Sequence, residues 1–497
     1  MATKKIITFD YGATSGRGIL GEYDGSRITA TELHRFSNDP VRVTGHLTWD
    51  VLRLFFELKA GLIKAAIAGH KDIESIGVDT WGVDFGLLNA YGQLIGNPFA
   101  YRDELTEGEM ERVFGIVPKK EIYDRTGLQF LRFNTLFQLT AIKEKYPEIL
   151  AGAKDLLLMP DLINYLLTGV KAAEFSIVST TQMFNLQNRD WDYELLAKLG
   201  IDPSILQKIV PSGTMLGGLL PDIAEETGIE NARVCAVCGH DTGSAVLAIP
   251  MDRGERCVYL SCGTWSLLGV ELSAPRNDDA AFAIDYTNEG GFDNTTRFLK
   301  NIMGLWIYTE VKREFERREG EVDYDTLNAE VLAAPGQKCY IDPDDDRFMT
   351  PGRMVRKIRE YCRETGQPEP ETRGEVLRCV LESLALKYRY AIEQLEGVLG
   401  YYLPCMRALG GGCKNRILMQ FTANAIRRPV YAGPVEATAF GNMAAQLITL
   451  GEAKDRWEAR QIVARSTDIE SYEPKDGETW GAMYEKFKEI ITKGAEK

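Results

Sequence analysis

The sequence is poor in histidine, in long apolar runs and in basic runs. Only 4 of its 497 residues are His, and they are isolated from one another, so a histidine-based metal centre is not expected. No run of about 18 apolar residues occurs, so no membrane-spanning helix is predicted. Lys and Arg number 58 against 72 Asp and Glu, a net charge of -14. Without a basic patch, such a chain is not expected to bind nucleic acid or an anionic membrane.

Two common nucleotide-binding signatures are absent or out of context. The dipeptide Gly-Lys never occurs, which excludes a P-loop. The stretch from Gly16 to Gly21 matches GxGxxG, but a helix should follow these glycines. Glu22 to Gly25 instead indicates the end of a strand and a turn. A Rossmann dinucleotide site, and with it an NAD-dependent oxidoreductase, is therefore rejected.

The cysteines favour free thiols. There are 9 of them, an odd number, and the first residues contain no export signal. We therefore expect a reducing cytoplasmic location. Cys235 and Cys238 form a CxxC, which raises zinc or redox chemistry, but no second cysteine or histidine pair lies nearby. The surrounding VCAVCG is typical of a buried strand, so inert thiols are the favoured interpretation.

The order of apolar runs and turns predicts an α/β chain. Strands are expected at Lys4–Phe9, Ile19–Tyr23 and Ser26–Leu33, forming an antiparallel meander. A helix is predicted from Val51, with Asp50 as its cap and Gly69 as its stop. A further strand pair is expected, Ile73–Asp79 and Val83–Leu88, joined by a Thr-Trp-Gly turn. A long helix is expected at Glu375–Leu399.

Arg256–Glu271 repeats the order of features of the first hairpin: an apolar run, a turn of small residues and a second apolar run. One interpretation is a duplicated domain in which each hairpin turn faces the same ligand. The other is that hairpins resemble one another in general. Turn residues near 250 agree with two domains, residues 1–249 and 250–497.

Two glycine-rich segments are candidate binding sites. Ala13, Thr14, Ser15, Gly16 and Arg17 follow the first strand, and such a turn can hold phosphate oxygens through backbone N–H groups, hydroxyls and a guanidinium. Gly410–Gly412 precede a predicted helix, where an anion or a polar nucleotide group is favoured. For each, a turn without a ligand is the alternative.

Four aspartates are candidates for catalysis or metal binding. Asp241 follows a predicted strand and lies between glycines in GHDTG, a setting that suits a general base. Its alternative role is to cap the next helix. Asp10, Asp79 and Asp84 lie at strand ends, where a carboxylate can hold Mg²⁺. Asp10 is the preferred metal residue, since Asp79 and Asp84 could equally be turn residues.

Together these segments resemble the FGGY carbohydrate kinases. The motifs GATSGR, GVDTWGVDFGLL, GHDTGSAV, YLSCGTWSLLGVE and GGGCKN occur in the family's order, and the similarity extends from the first strand to at least Asn442. The resemblance implies two actin-like ATPase (ribonuclease H-like) domains with a nucleotide and sugar cleft between them. It also implies phosphoryl transfer from ATP, with Mg²⁺, to a sugar hydroxyl.

The resemblance further implies roles for individual residues. Residues Ala13 to Arg17 would hold the nucleotide phosphates, and Thr264 and Gly411 would contact ATP. Gly82, His240, Asp241, Thr242 and Asn301 would bind the sugar, with Asp241 the proton acceptor. At Thr309 the family can carry a Gln that contacts ATP, and Thr is shorter.

Within the family, the resemblance implies L-rhamnulose as the substrate, phosphorylated at its 1-hydroxyl. The segments that carry this part of the resemblance are ATSGR at 13–17, VDTWGVDFGLL at 78–88, YRD at 101–103 and the stretch from Asn288 to Trp306. L-fuculose, L-ribulose and D-xylulose are the alternatives, because a single pocket contact separates such sugars by only about 1–3 kcal/mol. A non-catalytic sensor of sugar and ATP is a further alternative, although a sensor needs neither Asp10 nor Asp241. The chain is expected to be a monomer or a homodimer.

Overall fold

A computed structural model describes residues 3–495 of the chain. Its strands are β1 Lys4–Tyr11, β2 Ser15–Tyr23, β3 Ile28–Ser37, β4 Val41–Val43, β5 His46–Thr48, β6 Ser75–Thr80, β7 Phe85–Leu88, β8 Asp155–Leu158, β9 Ala173–Glu174, β10 Phe184–Asn185, β11 Asp190–Trp191, β12 Ile209–Val210, β13 Thr214–Gly218, β14 Arg233–Ala236, β15 Val258–Cys262, β16 Trp265–Leu272, β17 Thr287–Gly290, β18 Thr296–Met303, β19 Met406–Leu409, β20 Val430–Ala432 and β21 Glu470–Tyr472.

The helices are α1 Val51–Ile67, α2 Glu109–Phe114, α3 Lys119–Thr126, α4 Thr135–Lys145, α5 Pro147–Gly152, α6 Met159–Thr168, α7 Phe175–Val178, α8 Tyr193–Lys198, α9 Pro221–Thr227, α10 Asp241–Leu247, α11 Asp279–Ala283, α12 Trp306–Glu319, α13 Tyr324–Ala333, α14 Met354–Glu364, α15 Arg373–Leu399, α16 Arg416–Ile426, α17 Ala437–Leu450, α18 Arg456–Ser466 and α19 Gly477–Ala495. Short 3₁₀ helices occur at Glu104–Thr106, Pro203–Ile205, Phe292–Asn294, Asp346–Phe348 and Gly411–Lys414.

The strands form two large sheets, and the chain divides into two compact units. The sheets have the orders β13-β14-β6-β1-β2-β3 and β17-β18-β16-β15-β19-β20-β21. The first unit comprises the described residues as far as Arg253 together with Glu271–Phe298 and Ala437–Thr467. The second comprises Gly254–Val270, Leu299–Glu436 and the described residues from Asp468 onward. The division at 249/250 expected from the sequence stays a prediction.

The sheet of the first unit is built around β1. This strand pairs with β2 as a hairpin and with β6 in parallel, and β6 pairs in parallel with β14. The predicted meander β1-β2-β3 is confirmed. Because β1, β6 and β14 are parallel, their carboxyl ends meet at one edge of the sheet, where polar residues follow each strand.

The predicted cap of α1 is confirmed, whereas the predicted pairing of β6 with β7 is wrong. Asp50 caps α1 by accepting from the backbone N–H of Arg53 at 3.1 Å. The strands β6 and β7 both exist, but they do not pair with each other. β6 lies between β1 and β14, and β7 pairs with β8. The intervening turn instead carries the chain out of the sheet of the first unit.

The helix α17 lies against this sheet at very short range. A Cβ added to Gly441 would lie 1.7 Å from the carbonyl oxygen of Ser244 in α10, and one added to Gly77 in β6 would lie 2.2 Å from Asn442 Oδ1. Glycine at both positions lets α17 approach α10 and β6 closely. Asn442 thereby reaches the carboxyl edge of the sheet.

In the second unit, β15 pairs with β16 as a hairpin and in parallel with β19. The predicted long helix is confirmed as α15, which begins with a capping box between Thr372 and Glu375. Gly410–Gly412 follow β19, as expected, and Gly411 and Gly412 belong to the short 3₁₀ helix that precedes α16. Within the described residues, no helix is long and apolar enough to cross a membrane.

Candidate active site

The carboxyl edge of the sheet of the first unit brings four sequence-predicted residues together, Asp10, Asp79, His240 and Asp241. Asp10 is the register partner of Asp79 across β1 and β6. Thr80, the next residue, forms a parallel bridge with His240, and its N–H donates to Gly239 O at 2.8 Å. Asp10, Asp79 and the GHD segment at residues 239–241 therefore follow three adjacent strand ends.

Asp10 is paired with Arg17. The two are register partners across the β1-β2 hairpin, and Arg17 Nη2 donates to Asp10 Oδ2 at 2.5 Å. Asp10 is buried and Arg17 is largely so. The guanidinium thus lies beside the first carboxylate, at the base of the turn predicted to hold phosphates.

Asp79 is fully buried and has an oxygen without a hydrogen-bond partner. Its Oδ2 accepts from Asn442 Nδ2 at 2.5 Å, while Oδ1 has none. Thr8 Oγ1 and Gln446 Nε2 both donate to Asn442 Oδ1, at 3.1 and 2.8 Å, so the Asn442 NH₂ group must point toward Asp79. Burial, followed by the negative charge of Asp10, raises the pKa of Asp79 well above its ordinary value.

Asp241 is the most accessible carboxylate of this group, with 33% of its side chain exposed. Its Oδ1 accepts from the backbone N–H of Thr242 at 2.6 Å and from Thr242 Oγ1 at 3.2 Å. Helix α10 begins at Asp241 itself, and its N-cap position is His240. The alternative role of Asp241 as the N-cap of this helix is therefore wrong.

His240 is held by two buried charged residues, Glu289 on β17 and Arg297 on β18. Arg297 Nη2 donates to His240 Nδ1 at 3.0 Å, and Arg297 Nη1 lies 3.0 Å from Glu289 Oε2. Because the guanidinium can only donate, Nδ1 must accept, and the ring hydrogen lies on Nε2. Burial alone would raise the pKa of Glu289, but the charge of Arg297 lowers it.

The backbone of the GHD segment is anchored by Glu174. This buried carboxylate accepts from Gly239 N at 2.8 Å and from Ser176 Oγ at 2.6 Å. Ser176 Oγ in turn accepts from His240 N at 3.2 Å. Burial raises the pKa of Glu174. Hydrogen bonds to Glu174 and Ser176 thus hold the backbone at the strand end that carries His240 and Asp241.

Gly82 lies directly against His240. A Cβ at this position would be 3.3 Å from His240 Nε2, so a larger residue would crowd the ring. The next residue, Val83, has φ 69°, an unusual conformation for a β-branched side chain. It is held by Thr135 Oγ1, which donates to its carbonyl at 2.6 Å, and by donation of its N–H to Thr180 Oγ1 at 3.2 Å.

Asp84 has a structural role, contrary to the metal role considered for it. Its carboxylate accepts from four groups, Trp49 Nε1, Trp81 Nε1, Gln138 Nε2 and Tyr101 N, at 2.6, 2.9, 2.8 and 3.1 Å. Burial raises its pKa to about 6 against the opposing effect of these bonds. With four donors around it, the carboxylate organises the loop after Gly82.

The predicted phosphate turn is the tip of the β1-β2 hairpin. Gly12 N donates to Ser15 O at 2.9 Å, and Asn38 braces the turn by donating to Gly12 O at 2.7 Å. Thr14 is exposed, Ala13 and Ser15 are partly exposed, and Gly16 is buried. A Cβ at Gly16 would lie 2.1 Å from the Phe36 ring.

The second unit places Thr264 and Gly411 at one edge of its own sheet. Thr264 lies in the β15-β16 turn, and its carbonyl accepts from Gly304 N and Trp306 N, both at 3.2 Å. Gly411 follows β19, the parallel neighbour of β15. Asn301 is partly exposed on β18, and Thr309 is partly exposed on α12.

Sequence reasoning missed the residues that position the site. Glu289, Arg297 and Asn442 hold His240 and Asp79, yet no motif argument assigned them a role. A sequence signal was available for Asn442, an amide in the largely apolar α17, whereas β17 and β18 contain several polar residues among which Glu289 and Arg297 do not stand out. A charged or amide side chain is buried only when it is paired.

Comparisons with known proteins identify the family. A model of the N-terminal domain of the FGGY family of carbohydrate kinases matches residues 5–248, and a model of its C-terminal domain matches residues 258–450. The chain belongs to the FGGY family of carbohydrate kinases. It is an ATP-dependent sugar kinase, and the family resemblance of its motifs is confirmed.

Two similar proteins carry the name rhamnulokinase. The one from Bacteroides thetaiotaomicron is 42% identical over 98% of this chain and 99% of its own length. The one from Halalkalibacterium halodurans is 41% identical over 95% and 99%.

Among solved structures, gluconate kinase from Lactobacillus acidophilus matches with TM-score 0.80 at 18% identity, over 99% of this chain and 98% of its own. Xylulose kinase from the same organism matches with TM-score 0.80 at 18% identity, over 98% of each chain. At this identity the likeness concerns the fold alone. It confirms the expected two-domain, actin-like ATPase architecture.

Proposed function

We propose that this chain transfers the γ-phosphoryl group of ATP to the 1-hydroxyl of L-rhamnulose, giving L-rhamnulose 1-phosphate. The assignment of the substrate rests on sequence identity to proteins named rhamnulokinase, at about two fifths of the positions along nearly the whole chain. The arrangement of polar groups in the first unit supports the chemistry, as follows.

Asp241 is the general base of the proposed reaction. It is the accessible carboxylate at the strand edge, and both of its bonds to Thr242 are made by Oδ1. A carboxylate within about 3 Å of the attacking hydroxyl orients it and accepts its proton. Asp79 is less suited to this role because it is buried and bound to Asn442.

His240 and Gly82 form part of the proposed sugar site. The Nε2–H of His240 is the donor left over after Nδ1 has accepted from Arg297. It can donate to a sugar oxygen beside the attacking hydroxyl, and Gly82 leaves room for that sugar against the ring. We assign Thr242 and Asn301 to the same substrate.

The residues at the strand edge fit a magnesium ion. Asp79 Oδ1 is a buried oxygen without a partner, and the neighbouring Asp10 raises the pKa of Asp79 by its charge. A divalent cation relieves this repulsion between two carboxylates. When bound with ATP, Mg²⁺ neutralises charge on the phosphate oxygens. Asp10 is the residue proposed to hold it, directly or through water.

The nucleotide is assigned to residues of three turns. Residues Ala13 to Arg17 supply backbone N–H groups, hydroxyls and a guanidinium for phosphate oxygens. Thr264 and Gly411 contact ATP in the second unit, where both lie at one sheet edge. A contact of Thr309 with ATP is not part of the proposal, because its side chain is short.

The experiment is ADP release from ATP and Mg²⁺ with L-rhamnulose, L-fuculose, L-ribulose and D-xylulose, with the phosphorylated carbon identified by ³¹P NMR. We expect the highest kcat/KM with L-rhamnulose and phosphate on its first carbon. A higher kcat/KM with another ketose would overturn the substrate but keep the reaction.

ATP binding without turnover of any sugar would instead support a sensor. Hydrolysis of ATP without sugar is the background to subtract in each assay. Location in the cytoplasm and the state of monomer or homodimer stay predictions.

A further inference from the structure

Three cysteine thiols of the second unit converge at a place remote in sequence from every motif of the kinase site. Cys339 precedes the 3₁₀ helix at Asp346–Phe348, Cys362 is on α14, and Cys379 is on α15. Their sulfur atoms all lie within 4.8 Å of one another, and all three residues are buried.

Hydrogen bonds to Gln367 and Ser383 hold the segment that carries Cys339. Tyr340 N donates to Gln367 Oε1 at 2.7 Å, and Gln367 Nε2 donates back to Tyr340 O at 2.8 Å. Ile341 N donates to Ser383 Oγ at 2.9 Å, and Ser383 Oγ donates to Cys379 O at 2.6 Å. The three sulfur atoms are therefore held close together by the scaffold, which favours a ligand that needs them all.

The chemistry of the cluster favours a soft cation. Among the described residues, this group contains no histidine or carboxylate, only sulfur. Thiolates select soft metal ions, and three sulfur ligands without a fourth suit Cu⁺ better than tetrahedral Zn²⁺.

We propose that Cys339, Cys362 and Cys379 form a structural site for one soft metal ion held by three sulfur ligands, with Cu⁺ as the physiological example. Each thiol releases its proton to solvent as its bond to the metal forms, and nothing is oxidised or reduced. The ion would join α14, α15 and the loop after α13. A surface cavity of about 510 Å³, lined in part by Lys338 and Gln367, opens beside this loop.

The test uses the reduced, full-length protein under anaerobic conditions, titrated with Cd²⁺ and separately with Cu⁺. We expect one ion per chain, thiolate-to-metal charge-transfer absorption, a higher Tm and an X-ray absorption spectrum with three sulfur neighbours. Cys339→Ala should weaken binding by about tenfold or more. Cys405→Ala is the matched control, because Cys405 is a buried thiol of the same unit outside the cluster.

Several outcomes would overturn the site. These are binding no tighter than in Cys339→Ala, fewer than three sulfur neighbours, or equal weakening by Cys405→Ala. A reduced preparation whose mass is lower by two hydrogen atoms, with Cys362 or Cys379 in a disulfide, would also overturn it. If Cys339→Ala does not fold, the sulfur count in the wild type decides.

Discussion

The four aspartates of the first unit differ in how many donors surround each carboxylate. Asp84 accepts from four groups and Asp79 accepts from Asn442. Asp10 is paired with Arg17, whereas Asp241 is one-third exposed and bonded by its neighbour Thr242. The same residue type therefore has a structural role in one loop and, as proposed above, roles in metal and phosphate binding and in proton transfer. Only the surroundings of each carboxylate distinguish them.

Asp241→Asn should remove the proton acceptor and leave the hydrogen bonds to Thr242 largely in place. We expect kcat to fall by about 10²–10⁴-fold with little change in ATP affinity, measured by steady-state kinetics and by calorimetric titration of nucleotide. Asp222→Asn, at an exposed position on α9, is the control and should leave kcat unchanged. Retained turnover in Asp241→Asn would remove this residue as the base.

Arg297→Lys should release the imidazole of His240. Without the Nη2 donor, Nδ1 can carry the ring hydrogen, and Nε2 then becomes an acceptor facing the sugar. We expect the KM for the sugar to rise by about tenfold, the KM for ATP to stay unchanged, and the ¹⁵N spectrum of His240 to report the changed tautomer.

Arg460→Lys is the matched control for Arg297→Lys. Arg460 is likewise a fully buried arginine of the first unit, but it bonds to Val246 O, Leu247 O and Glu271. It should lose stability comparably without changing the His240 tautomer. Equal kinetic effects in the two variants would mean that Arg297 acts through stability alone.

At the scale of elements, periodicity and caps predicted α1, α15 and the β1-β2-β3 meander. These elements are set by local patterns, such as Asp50 before α1 and the turn at Asp24-Gly25. The pairing of β6 and β7 was predicted wrongly, because sequence proximity suggests a hairpin while β6 is parallel to β1 and β14. Parallel neighbours are distant in sequence, so no local pattern reports them.

Gly441→Ala tests the close approach of α17 to α10. The new Cβ would lie 1.7 Å from Ser244 O, a backbone atom, so one helix must shift. The clash outweighs the better helix propensity of alanine, and we expect a loss of about 1–3 kcal/mol in the free energy of unfolding. Asn442, the next residue, would move with the helix, so kcat should fall too.

Gly397→Ala should change the free energy of unfolding in the opposite direction. Gly397 is exposed in α15, and an added Cβ meets nothing within 4 Å. Alanine should therefore raise the free energy of unfolding by about 0.5–1 kcal/mol. Denaturant unfolding of both variants measures the difference, and equal effects at the two positions would contradict the close packing of α17 on α10.

At the scale of the molecule, the first unit is assembled from three stretches of chain. Three residues that position its site come from the later two, with Glu289 and Arg297 in one and Asn442 in the other. Ordered motifs and their family resemblance predicted which residues to examine, including Asp10, His240 and Asp241. They could not predict Arg297 or Asn442, because those contacts depend on packing between stretches far apart in the sequence.

The fragment of residues 1–249 tests the division predicted from the sequence. It keeps β1, β6 and β14 but lacks α17, which covers Gly77 and supplies Asn442 to Asp79, and lacks β18, which supplies Arg297 to His240. An uncovered apolar face and two buried groups without their partners oppose a stable fold. We expect a fragment that binds hydrophobic dye and shows poor NMR dispersion, whereas the full chain does neither. A fragment with sharp, dispersed amide signals and cooperative unfolding would mean that residues 1–249 form a domain by themselves, and that α17 and β18 contribute to the site more than to the fold.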